Sequence, residues 1–287
     1  MNWFALSVSA TVLMTVFEVI SKKLVSNHAR TDPVAYITTS FLFVALFSLG
    51  AVGMEGVEVR GAPVPLIGLV GLMTLAYAGG PILFYRAMSR VALADLIVLT
   101  RLRTILIFLA GILLFGESAS WIKLAGTLCV LAGSVILVAG EHLDLTRNRY
   151  LAYAIASNLF YTVGALADKM LSAEYLSVSF YQFLNFFLPA MMMMVLVPQT
   201  ASRVVGIIRD RVVLGAVLVN SIFFFLGFNM LFRAYASGGE ISRVNVIYSS
   251  QTVLIVVLSV ILLRERDRWQ VKLASGLLVT AGVFLLK

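Results

Sequence analysis

Two arginines, Arg101 and Arg103, stand inside a long apolar stretch, Val91–Phe115. An ionised side chain near the centre of a bilayer costs roughly 2.5–3.5 kcal/mol or more. It persists there only against a cavity, a partner or a substrate. Arg101 is ten residues into the stretch, about 15 Å at helical rise. That depth is close to the middle of a hydrocarbon core about 30 Å thick. Positions two apart on a helix point about 200° apart. One arginine is therefore expected to face a cavity and the other a neighbouring helix or a carboxylate. A guanidinium in a low-dielectric cavity binds carboxylate or phosphate through paired hydrogen bonds. The alternative is that the helix starts late and both arginines sit at a wet mouth.

Glu18 is the second candidate. Ser7, Thr11, Thr15, Glu18 and Lys22 fall within about 80° on one face of a helix, and such a stripe faces a cavity rather than lipid. Glu18 is a candidate coupling carboxylate, with a local ion pair to Lys22 as the alternative. Polar stripes recur at Asn158, Tyr161, Thr162 and Lys169, and at Asn245, Tyr248, Ser249 and Gln251. Tyr77, Gly80, Pro81 and Tyr85 form another, in which Pro81 can break the helix and free carbonyls toward a cavity. The candidate substrate-binding set is Arg101, Arg103, Tyr77, Tyr85, Asn229, Tyr248, Gln251 and Lys169. Glu117 and Glu265 read as structural carboxylates at helix ends, paired with nearby Lys or Arg.

Other chemistry finds no support. The chain has one cysteine, Cys129, and two histidines, His28 and His142, none with a ligand partner at metal-site spacing. There is no phosphate-cradling glycine loop and no grouped nucleophile, base and orienter. No cofactor, no metal and no enzymatic activity are expected.

The elements that must position these residues are membrane helices. The 287 residues are 61% hydrophobic and 13% charged, with a mean hydropathy of +0.99. A water-soluble surface of this size needs more charge. Ten stretches reach the length of about 20 apolar residues that a span needs: Trp3–Leu24, Pro33–Met54, Val64–Tyr85, Val91–Phe115, Trp121–Gly140, Tyr150–Leu171, Val178–Val197, Val212–Ala234, Ile241–Leu263 and Trp269–Leu286. The formal charge of +8 resides mostly in Lys and Arg at helix ends, where they anchor at headgroups. Nucleic acid is not an expected partner.

The chain also repeats itself. Thr15–Val16 and Lys22 return as Thr162–Val163 and Lys169; 169 minus 22 gives an offset of 147. Phe84–Tyr85–Arg86–Ala87 returns as Leu231–Phe232–Arg233–Ala234, and Gly80 as Gly227, at the same offset. Glu117 and Trp121 return as Glu265 and Trp269 at 148, and Ala132–Gly133 as Ala281–Gly282 at 149. The halves are 1–143 and 144–287. Five helices is an odd number, so the second half is expected to enter the membrane in the opposite sense. The expected fold is all-α: ten transmembrane helices as two inverted five-helix repeats around a central cavity. Arg101 and Arg103 match the neutral Ser249 and Gln251, so the positive charge is one-sided, as suits substrate rather than scaffold.

The pattern Tyr85–Arg86–Ala87–Met88, then Gly116–Glu117, Trp121 and the Gly126/Gly133 helix, with its echo Phe232–Arg233–Ala234–Tyr235, Arg264–Glu265, Trp269 and Gly276/Gly282, resembles the EamA type of the drug/metabolite transporter superfamily. Thr104 and Thr252 stand where relatives usually carry proline, and Arg264 where a glycine is usual. The resemblance implies a multi-pass protein of the cell membrane that moves small metabolites. It also implies that Glu18 acts like the first-helix carboxylate of the small multidrug resistance proteins, which couples protons to export. The expected function is secondary active transport of a small polar metabolite, anionic or zwitterionic. The alternatives are a flippase of a lipid-linked phosphate and a proton-coupled cation or drug exporter using Glu18. Expected partners are the lipid bilayer, the small-molecule substrate, and protons or a counter-substrate. A monomer or homodimer is expected.

Overall fold

The computed structural model describes residues 2–26, 32–61, 63–88, 93–118, 120–138, 149–251, 254 and 269–285. At some helical positions, Lys22, Arg101 and Lys272 among them, it describes backbone but no side chain. Glu265 and Arg264 lie outside the described residues. The helices are α1 (Trp3–Ser26), α2 (Pro33–Glu55), α3 (Pro63–Met88), α4 (Leu93–Phe115), α5 (Trp121–Val138), α6 (Arg149–Met170), α7 (Val178–Leu196), α8 (Gln199–Arg209), α9 (Arg211–Ala236), α10 (Ile241–Ser249) and α11 (Trp269–Leu285). A π-helical turn, Leu171–Tyr175, joins α6 to α7. No strand occurs among the described residues; one isolated bridge pairs Val59 with Leu176.

Local chemistry sets the boundaries. Asp32 Oδ1 accepts the Ala35 amide at 2.9 Å, and Pro33 occupies the first turn of α2, a position where a missing N–H costs nothing. Asp210 Oδ1 accepts the amides of Val212 and Val213 at 3.0 and 3.2 Å to open α9. Gly56 ends α2 at φ 85°, a conformation costly for any residue with a Cβ.

Five of these helices, α1, α2, α3, α7 and α9, are long and apolar enough to cross a membrane. Large apolar side chains remain exposed on the outside, including Val64, Leu113, Leu114 and Val195. Contiguous apolar surface of this kind suits lipid, not water.

Two features differ from the sequence expectation. The segment after Val197 is a helix, α8, not a plain connection. It is too short to span, and one side of it is buried: Thr200, Val204 and Ile207 point inward, while Val205 and Ile208 are exposed and Arg203 pairs with Asp32 across the surface. The ten-span search passes over such a helix because it looks for continuous apolar length. Second, α3 runs through Pro81 without a break. Gly79 and Gly80 press against Phe160 of α6, with room for less than a methyl group, and this packing carries the helix through the proline.

The packing follows a rule. Helix α1 packs on α9 and α3 on α6, α2 on α7, α4 on α10 and α5 on α11. Exchanging the two halves of the chain maps this set onto itself. The exchange holds at single residues. The α-carbon of Gly80 faces Phe160 and Tyr161, and that of Gly227 faces Leu13 and Met14; these are partners at offset 147. Gly133 meets Ser275 and Val279, and Gly282 meets Gly126 and Val130, partners at offset 149. The order of contacts also gives direction. Phe17 stacks on Phe224 with centroids 4.0 Å apart, while Asn220 reaches Ser21 at 3.0 Å. Numbers rising on α1 meet numbers falling on α9, so the pair is antiparallel.

Candidate functional site

A cavity of about 120 Å3 lies at the centre of the bundle, room for a small molecule rather than a single water. Its walls come from α1, α2, α3 and α4 and from their repeat counterparts α6, α7, α9 and α10. Among the described residues the α5–α11 pair contributes no lining residue. Half of the lining is aromatic, and among the described residues it holds three charged groups: Glu18, Arg103 and Asp168.

Arg103 enters from the middle of α4. Its guanidinium carbon lies 5.4 Å from the Tyr161 ring centroid and 6.0 Å from that of Tyr248, within reach of cation–π attraction. Its Nε is buried without a hydrogen-bond partner. Among the described residues Arg103 forms no ion pair. A half-buried guanidinium with a buried, unbonded Nε retains its capacity for an anionic ligand.

Of the residues singled out in the sequence, Glu18, Tyr77, Tyr85, Arg103, Tyr248 and Gln251 come together on this wall. Glu18 shares it with Tyr85 and Tyr161, close enough for their electrostatics to couple. Asn229 and Lys169 stand apart. Asn229 accepts from Arg233 Nε at 2.8 Å and donates to Gln182 Oε1 at 2.9 Å, a relay that Arg233 continues to Glu55. Lys169 Nζ donates to the Gly239 carbonyl at 2.7 Å and lies 5.9 Å from the Tyr235 ring. Its tether ties the end of α6 to the α9–α10 turn. The side chain of Arg101 lies outside the described residues.

The residue that sequence reasoning missed is Asp168. It is 2% exposed and lines the cavity. Tyr77 Oη donates to its Oδ2, and Tyr181 Oη to its Oδ1. Asn185 Nδ2 donates to Oδ1 at 2.9 Å and to Tyr181 Oη at 2.6 Å. Lys169, next to Asp168, is the residue that stands out in the sequence; in the structure the lysine bonds the Gly239 carbonyl and Asp168 is the one that lines the cavity. The repeat offered the signal: at offset 147 the partner of Asp168 is Ser21. The one-sidedness that marked Arg101 and Arg103 marks this carboxylate equally.

Glu117 closes one end of the site. Its Oε1 accepts the Ile241 amide at 2.6 Å, and its Oε2 accepts the Ser242 amide at 3.3 Å and Lys123 Nζ at 3.2 Å. Lys123 also pairs with Glu240 at 3.1 Å. The carboxylate caps the N-terminus of α10, where unpaired amides and the helix dipole favour negative charge. Glu117 thus clamps the α4–α5 turn to the helix that presents Asn245, Tyr248 and Ser249.

No protein-family model matches this chain, and no curated protein sequence matches it. Solved structures do. One, described only as "Crystal structure of protein", aligns with a TM-score of 0.73 over 99% of this chain and 96% of that chain, at 16% identity. At that identity the likeness concerns the fold alone. The chain is a helical bundle, with five helices long and apolar enough to cross a membrane, around a charged cavity lined in part by aromatic rings.

Proposed function

We propose that this chain is a secondary transporter of the EamA, drug/metabolite transporter type. It crosses the cell membrane ten times as two inverted five-helix repeats and moves a small zwitterionic metabolite by alternating access. The repeat reading is supported by the exchange of contacts between halves and by the antiparallel course of α1 against α9. If α1 to α3 each cross the bilayer, α1 and α3 are parallel. Helix α6 runs against α3, judged by Tyr77 meeting Gly164 while Gly80 meets Phe160. The second half then enters in the opposite sense, the arrangement that supports alternating access around a central site.

The observation that carries the functional reading is Arg103: a cation in a central aromatic cavity, with a buried Nε lacking a hydrogen-bond partner and no carboxylate paired to it among the described residues. The aromatic walls suit an apolar body. Among the described residues two carboxylates share the cavity with one guanidinium, which favours a zwitterion over a plain anion. Glu18 is the candidate proton acceptor for coupling.

The test is binding and proteoliposome transport of amino acids, organic acids and amines with matched side chains. Arg103→Gln installs the residue found at the equivalent position, Gln251. It is expected to weaken acid-bearing substrates roughly 100-fold through loss of charge-assisted hydrogen bonds, and Arg103→Lys is expected to weaken them less. Unchanged binding in Arg103→Gln refutes the anion site and leaves cation export through the carboxylates as the better reading. Glu18→Gln is expected to remove the pH dependence of transport while substrate binding persists.

A further inference from the structure

We propose that Asp168 is a cation subsite of this cavity, which accepts the ammonium group of a substrate whose carboxylate Arg103 holds; the assignment rests on the transport reading above. An ionised carboxylate offers about four acceptor positions. Tyr181 and Asn185 occupy two on Oδ1, and Tyr77 occupies one on Oδ2. One position on Oδ2 remains, and the residue lines the cavity.

All three donors are neutral. They fix the carboxylate without neutralising it. Neither nearby cation pairs with it: Lys169 bonds the Gly239 carbonyl, and Arg103 lies beyond ion-pair distance. The titratable and charged groups facing Asp168 are Tyr77 of α3, Tyr181 of α7, Tyr235 of α9 and, at longer range, Arg103 of α4. Their rings also suit an ammonium ion.

The repeat argues that the acid is not there for packing. Helices α2 and α7 align at offset 145, which pairs Tyr36, Phe41 and Ala45 with Tyr181, Phe186 and Ala190. The place of Asp168 and Tyr181 is taken in the other half by Ser21 and Tyr36, whose hydroxyls lie 2.7 Å apart. The same helix crossing is built there without a carboxylate. A zwitterion between Arg103 and Asp168 satisfies both charges at once, so neither is left buried and unpaired.

Calorimetry on the detergent-solubilised protein tests this with three probes: phenylalanine, 3-phenylpropanoate, which lacks the amine, and 2-phenylethylamine, which lacks the carboxylate. Asp168→Asn is expected to weaken phenylalanine and 2-phenylethylamine at least about 10-fold and to leave 3-phenylpropanoate within about twofold. Asp168→Ser, the residue that the other half uses, is expected to give the same split and guards against a folding defect in the first variant. Equal losses for phenylalanine and 3-phenylpropanoate in both variants, or no loss for either, overturn the subsite. If Arg103→Gln leaves 3-phenylpropanoate unaffected, the transport reading of Arg103 fails, while 2-phenylethylamine still reads Asp168 by itself. No binding of any probe by the unaltered protein overturns both.

Discussion

The two ends of the bundle solve one packing problem with different chemistry. At one crossing Ser21, Tyr36 and Asn220 close a neutral cluster, with Asn220 Nδ2 donating to Tyr36 Oη at 2.6 Å. At its counterpart stand Asp168, Tyr181 and Asn185. One step along, Phe17 stacks on Phe224, whereas the equivalent positions hold Gly164 and Tyr77. A Cβ on Gly164 would lie 2.6 Å from the Tyr77 ring. The missing side chain lets Tyr77 lie flat against α6 with its hydroxyl on Asp168. The neutral end fills space with stacked rings; the acidic end gives up a ring to seat a carboxylate. Shared geometry with divergent polarity separates what the fold needs from what the cavity does.

The largest expected effect comes from deleting the acceptor. Asp168→Leu strands the hydroxyl of Tyr77 and removes one acceptor each from Tyr181 and Asn185. Each buried orphan costs about 1–3 kcal/mol; the surviving Asn185–Tyr181 bond limits the total to roughly 3–5 kcal/mol. Thermal and denaturant unfolding in detergent should show it. A loss below about 1 kcal/mol would mean that the hydroxyls find other acceptors and that the acidic end is as self-sufficient as the neutral one.

A smaller effect sharpens the comparison at the glycines. Gly164→Ala meets the rigid Tyr77 ring at 2.6 Å, so the ring must move and the Tyr77–Asp168 bond must lengthen. Overpacking of this kind costs typically about 1–3 kcal/mol. Gly227→Ala meets the Cγ and Sδ of Met14 at 2.8 Å, a side chain that re-packs readily; less than about 1 kcal/mol is expected. Equal losses in the two variants would show that rigidity does not distinguish the ends.

Much of this arrangement was legible in the sequence. Helix starts such as Pro33, Trp121 and Val178 follow from apolar length and boundary residues, and the repeat follows from Lys, Arg, Glu and Trp kept in order. Glu18, Tyr77, Tyr85, Arg103, Tyr248 and Gln251 were found because polar residues on an apolar helix stand out. Asp168 was not, because the polar stripe on this helix was traced through its neighbour Lys169. Which partner a lysine chooses depends on a turn 70 residues away, and periodicity carries no information about it. Asn229 misled for the mirror reason: a polar residue in a span can serve a helix–helix relay as well as a cavity.

The smallest expected effect on transport is at Ser21. Its Oγ donates to the Phe17 carbonyl at 2.7 Å, shares a bond with Tyr36 Oη at 2.7 Å and accepts from Asn220 at 3.0 Å. Each partner keeps another contact. Tyr36 Oη retains Asn220 at 2.6 Å. The Phe17 carbonyl retains the Asn220 amide at 3.2 Å. Because Ser21 Oγ gives its hydrogen to the Phe17 carbonyl, Tyr36 donates to it, so Ser21→Ala leaves the Tyr36 hydroxyl without that acceptor and should cost about 1–3 kcal/mol. Transport and substrate affinity should stay at the level of the unaltered protein, because Ser21 does not line the cavity. The paired experiment is Asp168→Ser, which makes the two ends alike: it should fold and yet lose discrimination between phenylalanine and 3-phenylpropanoate. If Ser21→Ala instead impairs transport as severely as Asp168→Ser, the neutral crossing is part of the mechanism, and the division between a structural end and a chemical end is wrong.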